Sequence, residues 1–286
     1  MKQKLYVTVM LLACLGATSQ AQADTLLTLD DITPTSGSSA SKISDGILQL
    51  TDNSLSNRTY QIGSAYSSSA VDVSSFSASF SFQFSGGNPN WNNKSADGIV
   101  FVMKNAESRT SGGPGGGLGY ASNTENGITY AGINRSIGIE FDNWTNSTFS
   151  DPGGNVSHIG IDMNGNGRSL TTLNISPAFN GNGPWYAWVD YDGSNLSVSV
   201  STTNSKPGTA MLSYEIGSLE SIIGSPTAVI GFTGSTGLAT QTSQVLSLDI
   251  QNTSEPVPEP GALALLGTGA AIAIVRRNKM RLPETC

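Results

Sequence analysis

Large apolar residues alternate with small polar ones along several short segments of the chain. In residues 76–84 every second position is Phe or Ala, and the positions between them are Ser or Gln. Because side chains of a β-strand point alternately to the two faces of a sheet, this period predicts a strand with one buried face. Similar apolar patterns predict further strands at 47–50, 98–102, 137–141, 158–162, 186–190, 196–200, 228–232 and 245–250.

The segments between these predicted strands are rich in Gly, Asn, Ser and Asp, residues that favour turns. Residues 218–223 alone suggest a helix, and only a single turn of one. Many short strands over about 230 residues, with no break in composition and no internal repeat, predict one all-β domain. We expect an antiparallel β-sandwich.

The composition excludes several classes of protein. Charged residues make up 12% of the 286 residues, too few for a coiled coil or a helical bundle. A formal net charge of −7 argues against nucleic acid as a partner, because nucleic-acid binding requires a basic surface. With two cysteines and one histidine, the chain has neither a disulfide scaffold nor a site built from several histidines.

The two ends of the chain have the composition of sorting segments. Residues 1–23 begin with two lysines, continue with an apolar run and finish with Ala-Gln-Ala, which is the order of a secretory signal peptide; a membrane anchor is the alternative. At the other end, a Pro-Glu-Pro tripeptide precedes an apolar stretch over 261–275 and a basic end. Residues 254–286 thereby resemble the PEP-CTERM sorting signal of Gram-negative bacteria. The resemblance implies recognition by an exosortase after transient anchoring in the inner membrane, with a plain tail anchor as the alternative.

Residues 24–253 remain as the predicted domain. They contain eight Lys and Arg against 18 Asp and Glu, so the formal charge of this domain is about −10. They contain no cysteine, because Cys14 and Cys286 lie in the end segments. An exported domain without disulfides depends on a large core or on bound metal for its stability.

An acidic cluster precedes the single histidine. Glu140 and Asp142 are two residues apart on a predicted strand and share one face, and His158 opens the next strand. Asp142, Asn146 and Asp151, with a backbone carbonyl, offer the oxygen ligands that Ca²⁺ prefers. Glu140 and the imidazole of His158 add a mixed set that suits Mn²⁺ or a similar transition metal. The alternative interpretation is a solvated acidic turn beside a surface histidine.

The same stretch resembles the legume-type (L-type, concanavalin A-like) lectins. Their motif is Glu-x-Asp-x-aromatic-x-Asn, then Asp-Pro, then His-(Ile/Val)-Gly-Ile-Asp, and every part of it is present between Glu140 and Asp162. The resemblance implies a transition metal on Glu140, Asp142, Asp151 and His158, and Ca²⁺ on Asp142, Asn146, Asp151 and the carbonyl of Trp144. One spacing differs, since six residues lie between Asp151 and His158 where the plant lectins have four.

The resemblance also implies a carbohydrate site, formed by Asp97, Gly116, Trp144, Asn146, Leu238 and Ala239. In this family the peptide bond before the residue matching Asp97 is cis, and its carboxylate accepts hydrogen bonds from sugar hydroxyls. The glycine matching Gly116 lets the backbone approach the sugar, and Leu238 and Ala239 would present backbone groups. Trp144 would stack on the sugar ring. The other tryptophans receive no role.

These expectations describe an exported, metal-dependent, carbohydrate-binding lectin for cell-surface or extracellular-matrix glycans, without enzymatic activity. One alternative is a structural matrix protein that keeps the fold and calcium but does not bind sugar. Another is a laminarinase-type glycoside hydrolase, whose Glu-x-Asp-x-x-Glu motif would need a glutamate where Thr145 stands. Neither the sugar specificity nor the oligomeric state follows from the sequence, and a homodimer stays open.

Overall fold

The structure is a computed structural model that describes residues 25–153, 157–181 and 183–253. These residues belong to one structural unit, Asp24–Ser254. The predicted signal peptide and the predicted C-terminal sorting signal lie outside the described residues. In the part of the chain that is described, no helix is long and apolar enough to cross a membrane.

Strands dominate the described residues, as the alternating pattern predicts. In chain order they are β1 (Thr25–Thr28), β2 (Ile32–Pro34), β3 (Ser41–Lys42), β4 (Leu48–Thr51), β5 (Ile62–Ser67), β6 (Val71–Asp72), β7 (Phe76–Ser85), β8 (Gly98–Lys104), β9 (Asn123–Glu125), β10 (Ile128–Tyr130), β11 (Ser136–Asp142), β12 (His158–Met163), β13 (Thr171–Asn174), β14 (Trp185–Tyr191), β15 (Asn195–Ser201), β16 (Leu212–Glu215), β17 (Thr227–Ser235) and β18 (Thr242–Asn252). Helix α1 (Leu219–Ile223) is the predicted helical turn, and Ser218 caps its N-terminus. Single turns of 3-10 helix lie at Leu29–Asp31, Ser44–Gly46, Pro89–Trp91, Gly115–Gly117 and Ser147–Phe149.

Two eight-stranded antiparallel sheets contain most of these strands. The first has the order β16-β15-β14-β7-β18-β4-β3, with β1 also paired to β18. The second has the order β13-β12-β11-β8-β17-β5-β2, with β6 also paired to β17, and β9 and β10 form a separate hairpin. The predicted antiparallel β-sandwich is therefore confirmed.

The core lies between the two sheets and is rich in phenylalanine. Phe80 on β7 of the first sheet has its ring centroid 5.4 Å from that of Phe101, 5.3 Å from that of Phe141 and 5.2 Å from that of Phe232. Those three rings come from β8, β11 and β17 of the second sheet. Burial of one such side chain contributes about 1.5–3 kcal/mol, so the apolar face predicted for β7 holds the sheets together.

The second sheet is also covered on its other face. Val100 and Val102 on β8 point away from the main core and form a smaller apolar cluster with Leu118, Tyr120 and Ile133. The last three belong to the long connection between β8 and β11. On this covered face β11 presents polar groups instead, and both its Glu140 and its Asp142 are buried.

Candidate functional site

The pairing of β11 with β12 brings the acidic residues to the histidine. Asp142 lies opposite His158, and Glu140 lies opposite Gly160. His158 Nε2 is 3.3 Å from Glu140 Oε1 and 4.0 Å from Asp142 Oδ2. A Cβ atom at Gly160 would lie 2.2 Å from Glu140 Oε1, so the glycine leaves the space that the carboxylate occupies.

The loop after β11 folds back onto the same carboxylates. The backbone N–H of Trp144 donates to Asp142 Oδ1 at 2.6 Å, and that of Asn146 donates to Asp151 Oδ2 at 2.5 Å. The second oxygen of Asp151, Oδ1, lies 3.9 Å from His158 Nε2. The structure thus brings together the four side chains predicted to hold a transition metal. The longer spacing after Asp151 falls partly on residues 154–156, outside the described residues.

Several buried atoms of this cluster lack a hydrogen-bond partner among the described residues. They are Nδ1 and Nε2 of His158 and Oδ1 of Asn146. A buried polar atom without a partner costs about 1–3 kcal/mol. One ligand atom each from Glu140, Asp142 and His158 lies within 4.8 Å of the others. Carboxylate oxygens and an imidazole nitrogen at this separation fit a divalent metal ion.

Burial changes the protonation of the acidic residues. It raises the pKa of Asp142 well above its ordinary value, and the charges of Glu140, Asp97 and Asp151 raise it further. Burial raises the pKa of Asp151 to about 6, although the Asn146 N–H opposes this shift. Without a cation these carboxyl groups therefore keep their protons to a higher pH than an exposed aspartate does, and a cation would compete with the protons.

Two residues of this cluster received no role from the sequence. The Ser169 hydroxyl lies 2.7 Å from Glu140 Oε1 and 2.7 Å from Asp162 Oδ1. Burial, with the Glu140 charge next, raises the pKa of Asp162 well above its ordinary value. Asp162 ends the sequence motif and could have been suspected from its alternation with His158 along β12. Ser169 lies in the next loop and carries no sequence signal.

A cavity of about 150 Å³ lies beside this cluster. All six residues predicted to bind a carbohydrate line it, and the remaining lining residues are Tyr60, Trp91, Gly115, Glu125 and Gly237. Asp97 follows a cis peptide bond, as the resemblance implies, and is 4% exposed. Its Oδ2 atom has no hydrogen-bond partner among the described residues. Burial raises the pKa of Asp97 to about 8; the Gly237 N–H opposes the shift, and the Glu125 charge adds to it.

The backbone of Gly116 and the side chain of Asn146 lie very close together inside this cavity. A Cβ atom at Gly116 would lie 2.6 Å from Asn146 Cγ, so glycine is needed there. The carbonyl of Leu238 accepts a hydrogen bond from the Asn88 side chain at 2.6 Å, and that of Ala239 accepts one from the Gly237 N–H at 3.2 Å. Both carbonyls therefore take part in the hydrogen bonds that hold this loop.

Asn143 connects the cavity to the acidic cluster, although the sequence motif leaves its position unspecified. Its N–H donates to the Asp97 carbonyl at 2.8 Å. Its buried side chain donates to Gln241 Oε1 at 3.2 Å and accepts from the Ser157 hydroxyl at 2.8 Å. Because Asn143 lies between Asp142 and Trp144 in sequence, a movement of the acidic loop would also move the backbone that positions Asp97.

The structure also gives a place to Trp91, which had no role from the sequence. Its ring lies 5.6 Å from that of Trp144, at an interplanar angle of 30°, and both rings line the cavity. The Lys94 ammonium lies 5.0 Å and 5.2 Å from the two ring centroids. The one available sequence signal is that Trp91 and Lys94 closely precede Asp97.

Two family profiles match the chain. The legume lectin domain matches residues 28–263, and the PEP-CTERM protein-sorting motif matches residues 256–279. A galactose-binding lectin of Arachis hypogaea is 31% identical over 169 residues, which are 57% of this chain and 56% of that protein. An L-type lectin-domain containing receptor kinase of Oryza sativa subsp. japonica is 30% identical over 221 residues, 68% of this chain. The chain spans only 31% of that kinase's length.

Solved structures share the fold. A lectin from Bauhinia forficata in complex with GalNAc superposes with a TM-score of 0.63 at 26% identity, covering 80% of this chain and 96% of that one. Peanut lectin with a 9mer peptide has the same TM-score at 22% identity and covers 82% of this chain and 100% of that one. The arrangement of the two sheets is thus the one found in these lectins.

Proposed function

Because the chain belongs to the legume lectin domain family, we propose that it is an exported, metal-dependent lectin that binds glycans of the cell surface or extracellular matrix. The described galactose-binding relative and the GalNAc-bound neighbour support a carbohydrate as the ligand. The protein acts by binding alone, without catalysis. Its binding domain extends over residues 24–253.

One observation carries the proposal, namely that the buried carboxylate of Asp97 has an oxygen without a hydrogen-bond partner in the cavity among the described residues. Its buried carboxylate has a free acceptor atom and shares the cavity with Asn146 and Trp144. Sugars present neighbouring hydroxyls around an apolar ring face. A carboxylate and an amide can hydrogen-bond such hydroxyls, while the indole of Trp144 packs against the C–H face.

The metal ions act by fixing the protein rather than by touching the sugar. Glu140, Asp142, Asp151 and His158 would hold Mn²⁺ or a similar transition metal, and Asp142, Asn146, Asp151 and the Trp144 carbonyl would hold Ca²⁺. When bound, the ions supply positive charge that keeps the carboxylates ionised and the loop folded. Asn146 then presents its amide to the cavity, because its position depends on the same loop.

Export follows from the two ends of the chain. Residues 1–23 act as a signal peptide, and the match to the PEP-CTERM motif over 256–279 supports sorting by an exosortase. The apolar stretch 261–275 holds the protein in the inner membrane only until the exosortase acts on residues 254–286. The lectin domain then reaches the surface or the matrix of a Gram-negative cell.

A glycan array tests this function. The protein loaded with Ca²⁺ and Mn²⁺ is expected to bind a subset of glycans, to lose binding after EDTA treatment and to recover it when the ions return. Binding that persists in EDTA would contradict the metal dependence. If the metal-loaded protein binds no glycan, the structural matrix protein becomes the better description.

A further inference from the structure

A short closed loop over residues 88–94 lies next to the cavity. The N–H of Asn88 donates to the Lys94 carbonyl at 2.9 Å, and the N–H of Trp91 donates to the Asn88 carbonyl at 2.9 Å. The Asn88 side chain and the Lys94 carbonyl also bond to Leu238 and Thr240, respectively, in the loop before β18. These bonds fix the backbone of Trp91 and Lys94 before a ligand arrives, which reduces the ordering cost of binding.

Lys94 differs from the other cationic side chains. Within residues 25–153, 157–181 and 183–253, each of the others donates to a protein oxygen; they are Lys42, Arg58, Lys104, Arg109, Arg135, Arg168 and Lys206. In the same residues, the Lys94 ammonium has no such acceptor, and its contacts are the rings of Trp91 and Trp144. An ammonium offers three hydrogen-bond donors, so Lys94 is free to bind an anionic group.

We propose that Trp91, Trp144 and Lys94 form an anion subsite that takes a negatively charged sugar residue. The inference rests on the proposed carbohydrate-binding function and defines its ligand class as acidic oligosaccharides. One sugar occupies the cavity between Asp97 and Trp144, and its neighbour packs on Trp91. The carboxylate or sulfate of that neighbour then bonds to the Lys94 ammonium, in a charge-assisted hydrogen bond.

The charges around the cavity also orient such a ligand. Glu125 Oε2 lies 3.6 Å from the point that a Cβ atom of Gly115 would occupy, so this carboxylate belongs to the glycine-loop side. Lys94 has no ion pair with Glu125 within 4.0 Å. Glu125 repels an anionic group, whereas Lys94 attracts it. The anionic sugar therefore lies at Trp91 and Lys94, and its neutral neighbour lies at Asp97 and Trp144.

The test is an array of matched oligosaccharides, applied to the full-length chain loaded with Ca²⁺ and Mn²⁺. Each neutral oligosaccharide is printed beside its uronate-bearing form and its sulfated form, so that carboxylate and sulfate sources are distinguished. The readout is the ratio of affinities for the acidic and the neutral form of the same glycan. For at least one matched set we expect this ratio to be about tenfold in favour of the acidic form, and to fall as NaCl increases.

Substitutions test whether the anion subsite causes this ratio of affinities. Lys94→Gln is expected to bring the ratio to about one, and Lys94→Arg to preserve most of it, because only the former removes the charge. Lys206→Gln is the matched control, since Lys206 carries the same charge and pairs with Asp190 on the first sheet. Trp91→Ala is expected to weaken binding of acidic disaccharides more than that of monosaccharides, because the second sugar loses its packing surface.

Each result has a defined meaning. A ratio of one or less for every matched set in the wild type, or a ratio that survives Lys94→Gln, overturns the anion subsite while the carbohydrate-binding function stands. An equal loss of the ratio in Lys206→Gln would indicate a general charge effect and also overturns the subsite. If no glycan of any kind binds, the proposed function fails, and the subsite fails with it.

Discussion

Asp97 is a buried residue to which we assign a role in binding. Its side chain is almost inaccessible, yet one carboxylate oxygen has no partner among the described residues. In a purely structural role a buried carboxylate normally gains hydrogen bonds that offset its desolvation. The free acceptor at a cavity supports our proposal that a ligand supplies the missing hydrogen bonds.

Replacing Asp97 separates binding from stability. Asp97→Asn is expected to weaken sugar binding by roughly 10- to 100-fold, because hydroxyl donors of a bound sugar favour the ionised carboxylate and an amide cannot ionise. The melting temperature should change little, since a neutral amide of the same shape replaces a group whose pKa of about 8 already favours its neutral form. Titration calorimetry with a glycan found on the array, beside thermal unfolding, measures both. The exposed Asp30→Asn is the control, and a large loss of stability with retained binding would assign Asp97 a structural role.

At the scale of elements, the strand pair β11–β12 creates the candidate metal cluster. The antiparallel register places His158 opposite Asp142 and leaves a glycine opposite Glu140. Side chains on one face of such a pair are close neighbours, so the ligands converge because of the register. The apolar residues between them, such as Phe141 and Ile159, face the core and fix that register.

Gly160→Ala tests this view of the strand pair. The added Cβ would meet Glu140 Oε1 at 2.2 Å and Ser169 Oγ at 2.5 Å, so the carboxylate must move. We expect the affinity for Mn²⁺ to fall by about 10- to 100-fold, the loss typical of disturbed metal surroundings. Calorimetry of the metal-free protein with MnCl₂ measures it. Gly208→Ala serves as the control, because nothing lies within 4 Å of its Cβ position; equal affinities in both variants would contradict the assignment of Glu140 as a ligand.

For the whole molecule, the dominant electrostatic fact is an acidic domain with buried carboxyl groups. The formal charge of residues 24–253 is about −10, and Asp97, Asp142, Asp151 and Asp162 all have raised pKa values because they are buried. Bound cations would therefore stabilise the folded state most at a pH high enough to ionise these buried carboxyl groups.

The pH dependence of stability follows from the direction of these shifts. The folded pKa values of Asp151, about 6, and of Asp97, about 8, exceed the ordinary value of 3.8. The folded state thus binds more protons than the unfolded state, and the resulting stability is full below about pH 4 and lost as the pH rises to about 8. The lowered pKa values of Asp31, Asp72 and Asp192 act in the opposite direction, but only below about pH 4.

We therefore expect the free energy of unfolding of the metal-free protein to fall between pH 5 and pH 8. The stabilisation produced by Ca²⁺ and Mn²⁺ should grow over the same interval, because fewer protons compete for the carboxylates. Urea denaturation at pH 5 and at pH 8, once in EDTA and once with Ca²⁺ and Mn²⁺, measures both the metal-free stability and the stabilisation by the ions. A metal-free protein that is more stable at pH 8 than at pH 5 would contradict this account.

Much of the fold and of the candidate site can be predicted from local features of the sequence. The alternation in 76–84 predicts β7 and its buried face, since the side chains of a strand alternate geometrically. The spacing of Glu140, Asp142 and His158 predicts one cluster, because two residues on a strand share a face and the next strand returns beside it. The legume lectin fold was recognisable for the same reason, as its motif is a continuous stretch of chain.

Only the tertiary structure decided which distant segments meet. An alternating pattern shows which face of a strand is buried but not which strand is its neighbour, so the position of β7 between β14 and β18 could not be predicted. The same holds for the cavity, where Asp97, Gly116 and Leu238 meet from loops far apart in sequence. The role that we propose for Trp91 and Lys94 depends on their contacts with Trp144, which the sequence does not reveal because an exposed loop carries no periodic signal. Long-range pairing depends on the packing of the complete chain, and no local pattern contains it.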